Sequence, residues 1–80
     1  MLMLEVGLRL REAREAAGYT QSQLGEMAGL TQAAISRIER GDGNPSLPSA
    51  VKLADILSIP LTDLLGISPK TDTDDITKEQ

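Results

Sequence analysis

Residues 21–40 of the chain read QSQLGEMAGLTQAAISRIER, and the fold is most clearly indicated by these twenty residues. Apolar residues repeat at helical spacing on both sides of Gly29, which predicts two short helices joined by a turn. Gly25 lies inside the first helix, where glycine costs about 1 kcal/mol relative to alanine. We therefore expect another part of the backbone to approach Gly25 closely, at the place where these two helices, the second and third of the chain, meet. Gly29 is expected to adopt positive φ in the turn.

Capping residues predict where the helices begin. Thr20 and Gln23 match the capping box that starts a helix, and Thr31 and Ser46 are predicted caps of two later helices. The predicted helices are residues 4–17, 21–28, 32–40, 47–57 and 61–65. The predicted apolar face of the fourth helix is Leu47, Ala50, Val51, Ala54 and Leu57. These segments predict a compact, all-α domain of five helices at residues 1–67.

The composition excludes several kinds of chemistry. The 80 residues include neither Cys nor His, so there are no disulfides, no thiolate nucleophile and no histidine base. The sequence GDGN at residues 41–44 resembles part of a calcium loop, but the spaced acids and the final Glu of such a loop are missing. We expect no enzyme activity, metal, cofactor or small-molecule ligand. The apolar start is too short to span a membrane, so we expect a cytoplasmic protein.

Charge is distributed unevenly along the chain. The net charge is −4, yet all five arginines lie in residues 1–41, where they balance five glutamates. Residues 68–80 are polar and acidic without periodicity, which predicts a disordered tail. Long-range attraction to DNA should therefore be weak, while local contacts between arginines and phosphates remain possible.

The stretch at residues 21–40 resembles the helix-turn-helix of the Xre/Cro, lambda-repressor-like DNA-binding family. The resemblance extends over about residues 5–67 and includes RLREARE, ERGDGNPSL and LADILSIPLTDLLG. It departs from the family pattern at Gly25, where the family more often has Ala. The resemblance implies a transcriptional regulator that binds double-stranded DNA, with its helix-turn-helix formed by the second and third helices.

The third helix has an outward arc without acids, and in a helix-turn-helix this arc faces the major groove. Gln can bond adenine, Arg can bond guanine, and Ala can contact a thymine methyl group. The predicted base contacts are Gln32, Ala33, Ser36 and Arg37. The predicted phosphate contacts are Gln21, Thr31, Arg40, Arg11 and Asn44, and of these Gln21 is the one that the family resemblance supports.

The resemblance also implies an ion pair and a dimer. Arg14 and Glu39 match residues that join the first helix to the end of the third in related phage repressors. Related repressors bind palindromic sites as homodimers, and the proposed dimer surface is Leu61, Leu64, Leu65 and Ile67, although some of these leucines must belong to the core. The alternative function is an antitoxin or another protein-interaction module on the same fold. A restriction–modification controller protein is another possibility, since such proteins are similarly small members of the family. It would still be a DNA-binding regulator.

Overall fold

The computed structural model describes residues 3–66, with side chains from Glu5 onward, and these residues form five α-helices. The helices are α1 (Met3–Ala17), α2 (Gln21–Ala28), α3 (Gln32–Glu39), α4 (Leu47–Ile56) and α5 (Leu61–Leu65). The predicted all-α fold class is confirmed, and the helix ends fall within one residue of the predicted ends. The predicted acidic tail at residues 68–80 lies outside the described residues.

Side-chain caps start three of the helices. The Thr20 hydroxyl accepts from the amide of Gln23 at 3.0 Å, while the Gln23 side chain accepts from the amide of Thr20 at 2.8 Å. Thr31 caps α3 and Ser46 caps α4 through the same kind of bond. Because these bonds are local in sequence, the capping residues were readable without tertiary information.

An aliphatic core lies between the five helices. Each helix contributes one leucine or isoleucine that is at most 1% exposed: Leu10, Leu24, Ile35, Leu53 and Leu64. Within this arrangement α3 packs against both α1 and α2. Its inner side is therefore fixed by two neighbours, while its other side stays open.

The predicted apolar face of α4 is partly wrong. Leu47 and Val51 are 64% and 48% exposed, whereas Leu53, which the prediction omitted, is completely buried. On a helical wheel Leu53, Leu57, Ala50 and Ala54 cover an arc of about 100°, which is the width of one buried stripe. Leu47 and Val51 lie beyond the Ala54 edge of that arc and face outward.

No helix within residues 3–66 is both long enough and apolar enough to cross a membrane.

Candidate nucleic-acid interface

Gly25 and Gly29 shape the turn between α2 and α3. Gly29 has a φ of 73°, a left-handed conformation that a side chain disfavours. The chain then folds back onto α2, and the Leu30 amide donates to the Gly25 carbonyl oxygen at 2.8 Å. A Cβ at Gly25 would lie 2.8 Å from the Leu30 carbonyl oxygen and 3.2 Å from the carbonyl of Thr31. The close approach is therefore made by the turn that precedes α3.

A second close approach, which the sequence analysis missed, joins α1 to the end of α3. Gly7 is buried, and a Cβ there would lie 2.6 Å from the Glu39 carbonyl oxygen and would also meet that of Ile38. The signal was present in the sequence, because Gly7, like Gly25, occupies a helix interior where glycine is unfavourable. Gly7 and Gly25 together set the positions of both ends of α3.

Arg14 and Glu39 form an ion pair beneath the end of α3. Arg14 Nε donates to Glu39 Oε2 at 2.6 Å, and Nη2 donates to Oε1 at 3.1 Å. The remaining Nη1 donates to the Tyr19 carbonyl oxygen at 2.8 Å. The two side chains are only 11% and 4% exposed. The hydrogen bonds to Glu39 raise the pKa of Arg14, assisted by the charges of Glu39 and Glu15 and opposed by burial.

Two glutamines extend this network to the beginning of α3. Gln21 Nε2 donates to Glu39 Oε1 at 3.0 Å. Gln32 Nε2 in turn donates to Gln21 Oε1 at 2.7 Å. Gln21, the first residue of α2, thereby bonds both Glu39 at the end of α3 and Gln32 at its start. Gln21 and Gln32, two of the predicted DNA-contacting side chains, therefore touch each other.

The outward side of α3 carries the predicted base contacts. Gln32, Ala33 and Arg37 are exposed, and Ser36 is half-buried. Glu39 is the only acid in α3, and it is buried in the ion pair. The exposed side of α3 therefore offers a carboxamide, a methyl group and a guanidinium without a competing carboxylate on the same helix.

The predicted phosphate contacts occupy different surroundings. Gln21 is half-buried in the network, and the Thr31 hydroxyl caps α3. Arg40 donates to the hydroxyl of Ser36 and, at 3.1 Å, to Asp42. Arg11 pairs with Glu15 at 3.3 Å on the exposed side of α1, and Asn44 is exposed in the loop before α4.

A shallow depression of about 450 Å³ opens beside the first turn of α2. Arg14, Gln21, Ser22 and Gln32 are among the residues that line it. Helix N-termini carry a partial positive charge that favours phosphate. The depression therefore suits an anionic group that lies next to the exposed side of α3.

The structure corrects one member of the predicted dimer surface. Leu64 is 1% exposed and belongs to the core of its own chain, so it cannot form an intermolecular surface. Leu61 is half-buried against the core, Leu65 is half-buried, and Ile67 lies outside the described residues. Within residues 5–66 no group of three acids is placed to hold a metal ion.

Two helices joined by a glycine turn, with the second helix exposed along one side, define a helix-turn-helix protein. A family model described as helix-turn-helix matches residues 10–64. The chain belongs to the Xre-type family of DNA-binding helix-turn-helix transcriptional regulators.

Two curated relatives and one solved structure illustrate the similarity. The chain is 39% identical to the putative regulatory protein PF1851 of Pyrococcus furiosus, over 76% of this chain and 19% of that protein. It is 38% identical to the regulator YgzD of Bacillus subtilis, over 74% of this chain and 89% of YgzD. The crystal structure of the restriction–modification controller protein C.AhdI from Aeromonas hydrophila is 39% identical, with a TM-score of 0.74. That match covers 78% of this chain and 94% of C.AhdI. The chain therefore spans only about a fifth of the length of PF1851.

Proposed function

We propose that the protein is a sequence-specific transcriptional regulator that binds double-stranded DNA with α3 in the major groove. The observation that supports this proposal best is the separation of the two sides of α3. Ile35, Ile38 and the one acid, Glu39, are buried, while the exposed side carries Gln32, Ala33 and Arg37. The N-terminal part of such a helix is the part that contacts base edges in helix-turn-helix proteins.

Four side chains are the proposed base contacts. Gln32 has the donor and acceptor that match adenine, and Arg37 has the paired donors that match guanine O6 and N7. Ala33 would contact a thymine methyl group, and Ser36 can donate or accept. Each good bidentate contact discriminates between bases by about 1–3 kcal/mol.

Five residues are the proposed phosphate contacts, which fix the register and carry no sequence information. Gln21 and Thr31 stand at the starts of α2 and α3, where the helix dipole favours an anion. Arg11, Arg40 and Asn44 extend the proposed contacts onto α1 and into the loop that follows α3. Since the net charge is −4, affinity would rest on these local contacts rather than on long-range attraction.

The protein is proposed to act as a homodimer on a palindromic operator. One eight-residue helix covers little DNA, and two-fold dimers of this kind read half-sites about 34 Å apart. Leu61, Leu65 and Ile67 remain as the proposed dimer surface after the removal of Leu64.

The proposal is tested by selecting bound DNA from a random duplex library at low salt and again at about 150 mM. We expect an inverted repeat to be enriched, with affinity falling steeply as salt rises. Gln32→Ala and Arg37→Ala should each change the preference at defined positions. Absence of enrichment at either salt would contradict DNA recognition and favour a protein partner for the same fold.

A further inference from the structure

Glu39, Gln21 and Gln32 form a chain of hydrogen bonds that has a direction. A carboxylate can only accept hydrogen bonds, so the Gln21 atom that lies 3.0 Å from Glu39 must be its amide nitrogen. The oxygen of Gln21 then faces Gln32 and accepts from its nitrogen at 2.7 Å. If Gln32 alone turned over, two oxygens would face each other. If both amides turned over, the oxygen of Gln21 would face the Glu39 carboxylate.

The carboxylate at the start of this chain is itself held in place. Arg14 donates to both oxygens of Glu39, at 2.6 and 3.1 Å, and the Glu39 side chain is 4% exposed. Water therefore has little access to compete for these oxygens. The direction of the hydrogen bonds is therefore set inside the protein. It determines which way the amide of Gln32, at the exposed end of the chain of bonds, is oriented.

We propose that Glu39 is a positioning residue for base recognition, because it fixes through Gln21 the order of donor and acceptor that Gln32 presents to DNA. This inference rests on the proposed function, in which Gln32 contacts a base. One Nε2 hydrogen of Gln32 is used by Gln21, and the other hydrogen and Oε1 form the free edge of the amide. That edge matches N7 and the N6 amino group of adenine. With the amide reversed, donor and acceptor would exchange places and would no longer match these two atoms.

The test compares the base preferences of wild type, Glu39→Gln, Gln21→Met and the double variant in the library selection. Gln32→Ala first identifies the base pair that Gln32 reads. In Glu39→Gln the acceptor-only group becomes an amide that can also donate, so Gln21 is free to turn over. We expect the preference at that base pair to fall about 2- to 10-fold, the equivalent of one neutral hydrogen bond, with other positions unchanged.

Gln21→Met provides a second, independent variant because it interrupts the chain while the Arg14–Glu39 ion pair remains. It should lower the preference at the same base pair. The double variant should lose no more preference than Gln21→Met alone, since the effect of Glu39 passes through Gln21.

Several outcomes would overturn the inference. A uniform loss of affinity by Glu39→Gln with unchanged base preference would mean that Glu39 only supports the fold, and additive losses in the double variant would exclude a route through Gln21. If circular dichroism shows that Glu39→Gln does not fold, an unchanged preference in Gln21→Met decides against the inference by itself. A wild type that selects no sequence overturns the proposed function and this inference with it. A wild type that selects a sequence unaffected by Gln32→Ala removes the positioning role but leaves DNA binding intact.

Discussion

Gly25 is a residue whose tertiary contact overrides its helix propensity. Alanine at this position would favour the helix by about 1 kcal/mol, but its Cβ would lie 2.8 Å from the Leu30 carbonyl oxygen. We predict that Gly25→Ala lowers the free energy of unfolding by about 1–3 kcal/mol, as overpacked sites do. Thermal unfolding followed by circular dichroism measures this effect.

Gly43→Ala is the matched control for Gly25→Ala. A Cβ at Gly43 would lie 3.5 Å from Arg37 Cβ, an ordinary contact distance. The substitution also restricts the unfolded chain, so Gly43→Ala should leave the Tm unchanged or raise it slightly. A Tm for Gly25→Ala equal to or above that of wild type would contradict the close approach of the turn.

Glu39 is the only buried acid among the residues whose burial the structure describes, and Arg14 depends on it. We predict that Glu39→Ala destabilises the protein by about 3–5 kcal/mol, because it leaves the guanidinium without its partner. Glu15→Ala removes an acid that is 55% exposed and lies 3.3 Å from Arg11 but 3.9 Å from Arg14, and it should change stability by less than about 1 kcal/mol. An unchanged Tm for Glu39→Ala would show that the ion pair contributes nothing.

The stability that Arg14 contributes through this ion pair should not change with pH near neutrality. The pKa of Arg14 is raised, chiefly by its hydrogen bonds to Glu39. A raised pKa adds stability that is complete below the unfolded pKa and is lost only when pH rises through the folded pKa. For arginine that range lies far above neutrality. The Tm difference between wild type and Glu39→Ala should therefore be the same at about pH 7 and about pH 9.

The two sides of α4 should respond differently to substitution. Leu53 is completely buried, and Leu53→Ala should lower the free energy of unfolding by about 2–5 kcal/mol. Val51 is 48% exposed, and Val51→Thr should change the free energy of unfolding by less than about 0.5 kcal/mol. Urea unfolding of both variants measures the contrast. Similar losses of unfolding free energy in the two variants would mean that Val51 is part of the core.

Helix ends were more predictable than helix faces. Thr20, Thr31 and Ser46 act on backbone amides within three residues, so their capping bonds follow from local sequence. The buried side of α4 depends instead on where the other helices lie, and both Leu47 and Val51 were misplaced for that reason. Apolar residues at helical spacing identify a stripe without giving its exact edges.

At the end of α3, Asp42 pairs with Arg40, one of the proposed phosphate contacts. The two side chains are 3.1 Å apart and more than half exposed, so their attraction is weak. We predict that Asp42→Asn raises affinity for the selected operator about 2- to 5-fold, because Arg40 no longer has to leave a carboxylate. Asp55→Asn, an equal charge change on α4, should have a smaller effect. A gain that persists in an Arg40→Gln background would exclude this explanation.

At the scale of the whole molecule, substitution of Leu65 tests the proposed homodimer. Leu65 is half-buried on α5. Leu64 belongs to the core and Leu61 packs against it, whereas Leu65 is in neither group. We predict that Leu65→Glu keeps the fold and lowers affinity for an inverted repeat by about 100-fold or more, through loss of bivalent binding. Val51→Glu introduces the same charge on another helix and should have little effect. Analytical ultracentrifugation that finds wild type monomeric with and without DNA would remove the dimer model.

The candidate site was only partly readable from the sequence. The exposed residues of α3 follow from the helical wheel, and the Arg14–Glu39 pair was expected from the family resemblance. The bonds of Gln21 to Glu39 and of Gln32 to Gln21 could not be predicted, since they join residues 18 and 11 positions apart across three helix ends. No spacing rule within one helix relates such residues.

The division of α3 into a buried and an exposed side bears on how such regulators diverge. Ala33 and Arg37 are exposed, whereas Ile35, Ile38 and Glu39 are buried and hold the helix in place. Under the proposed function, mutations at positions 33 and 37 would therefore alter operator choice with little penalty in folding, and duplicated copies of the gene would acquire separate targets in a few steps. Gln32 is less free to vary, because its partner Gln21 is bonded to the ion pair. We expect recently separated copies to differ first at 33 and 37 and to retain the glutamine at 32.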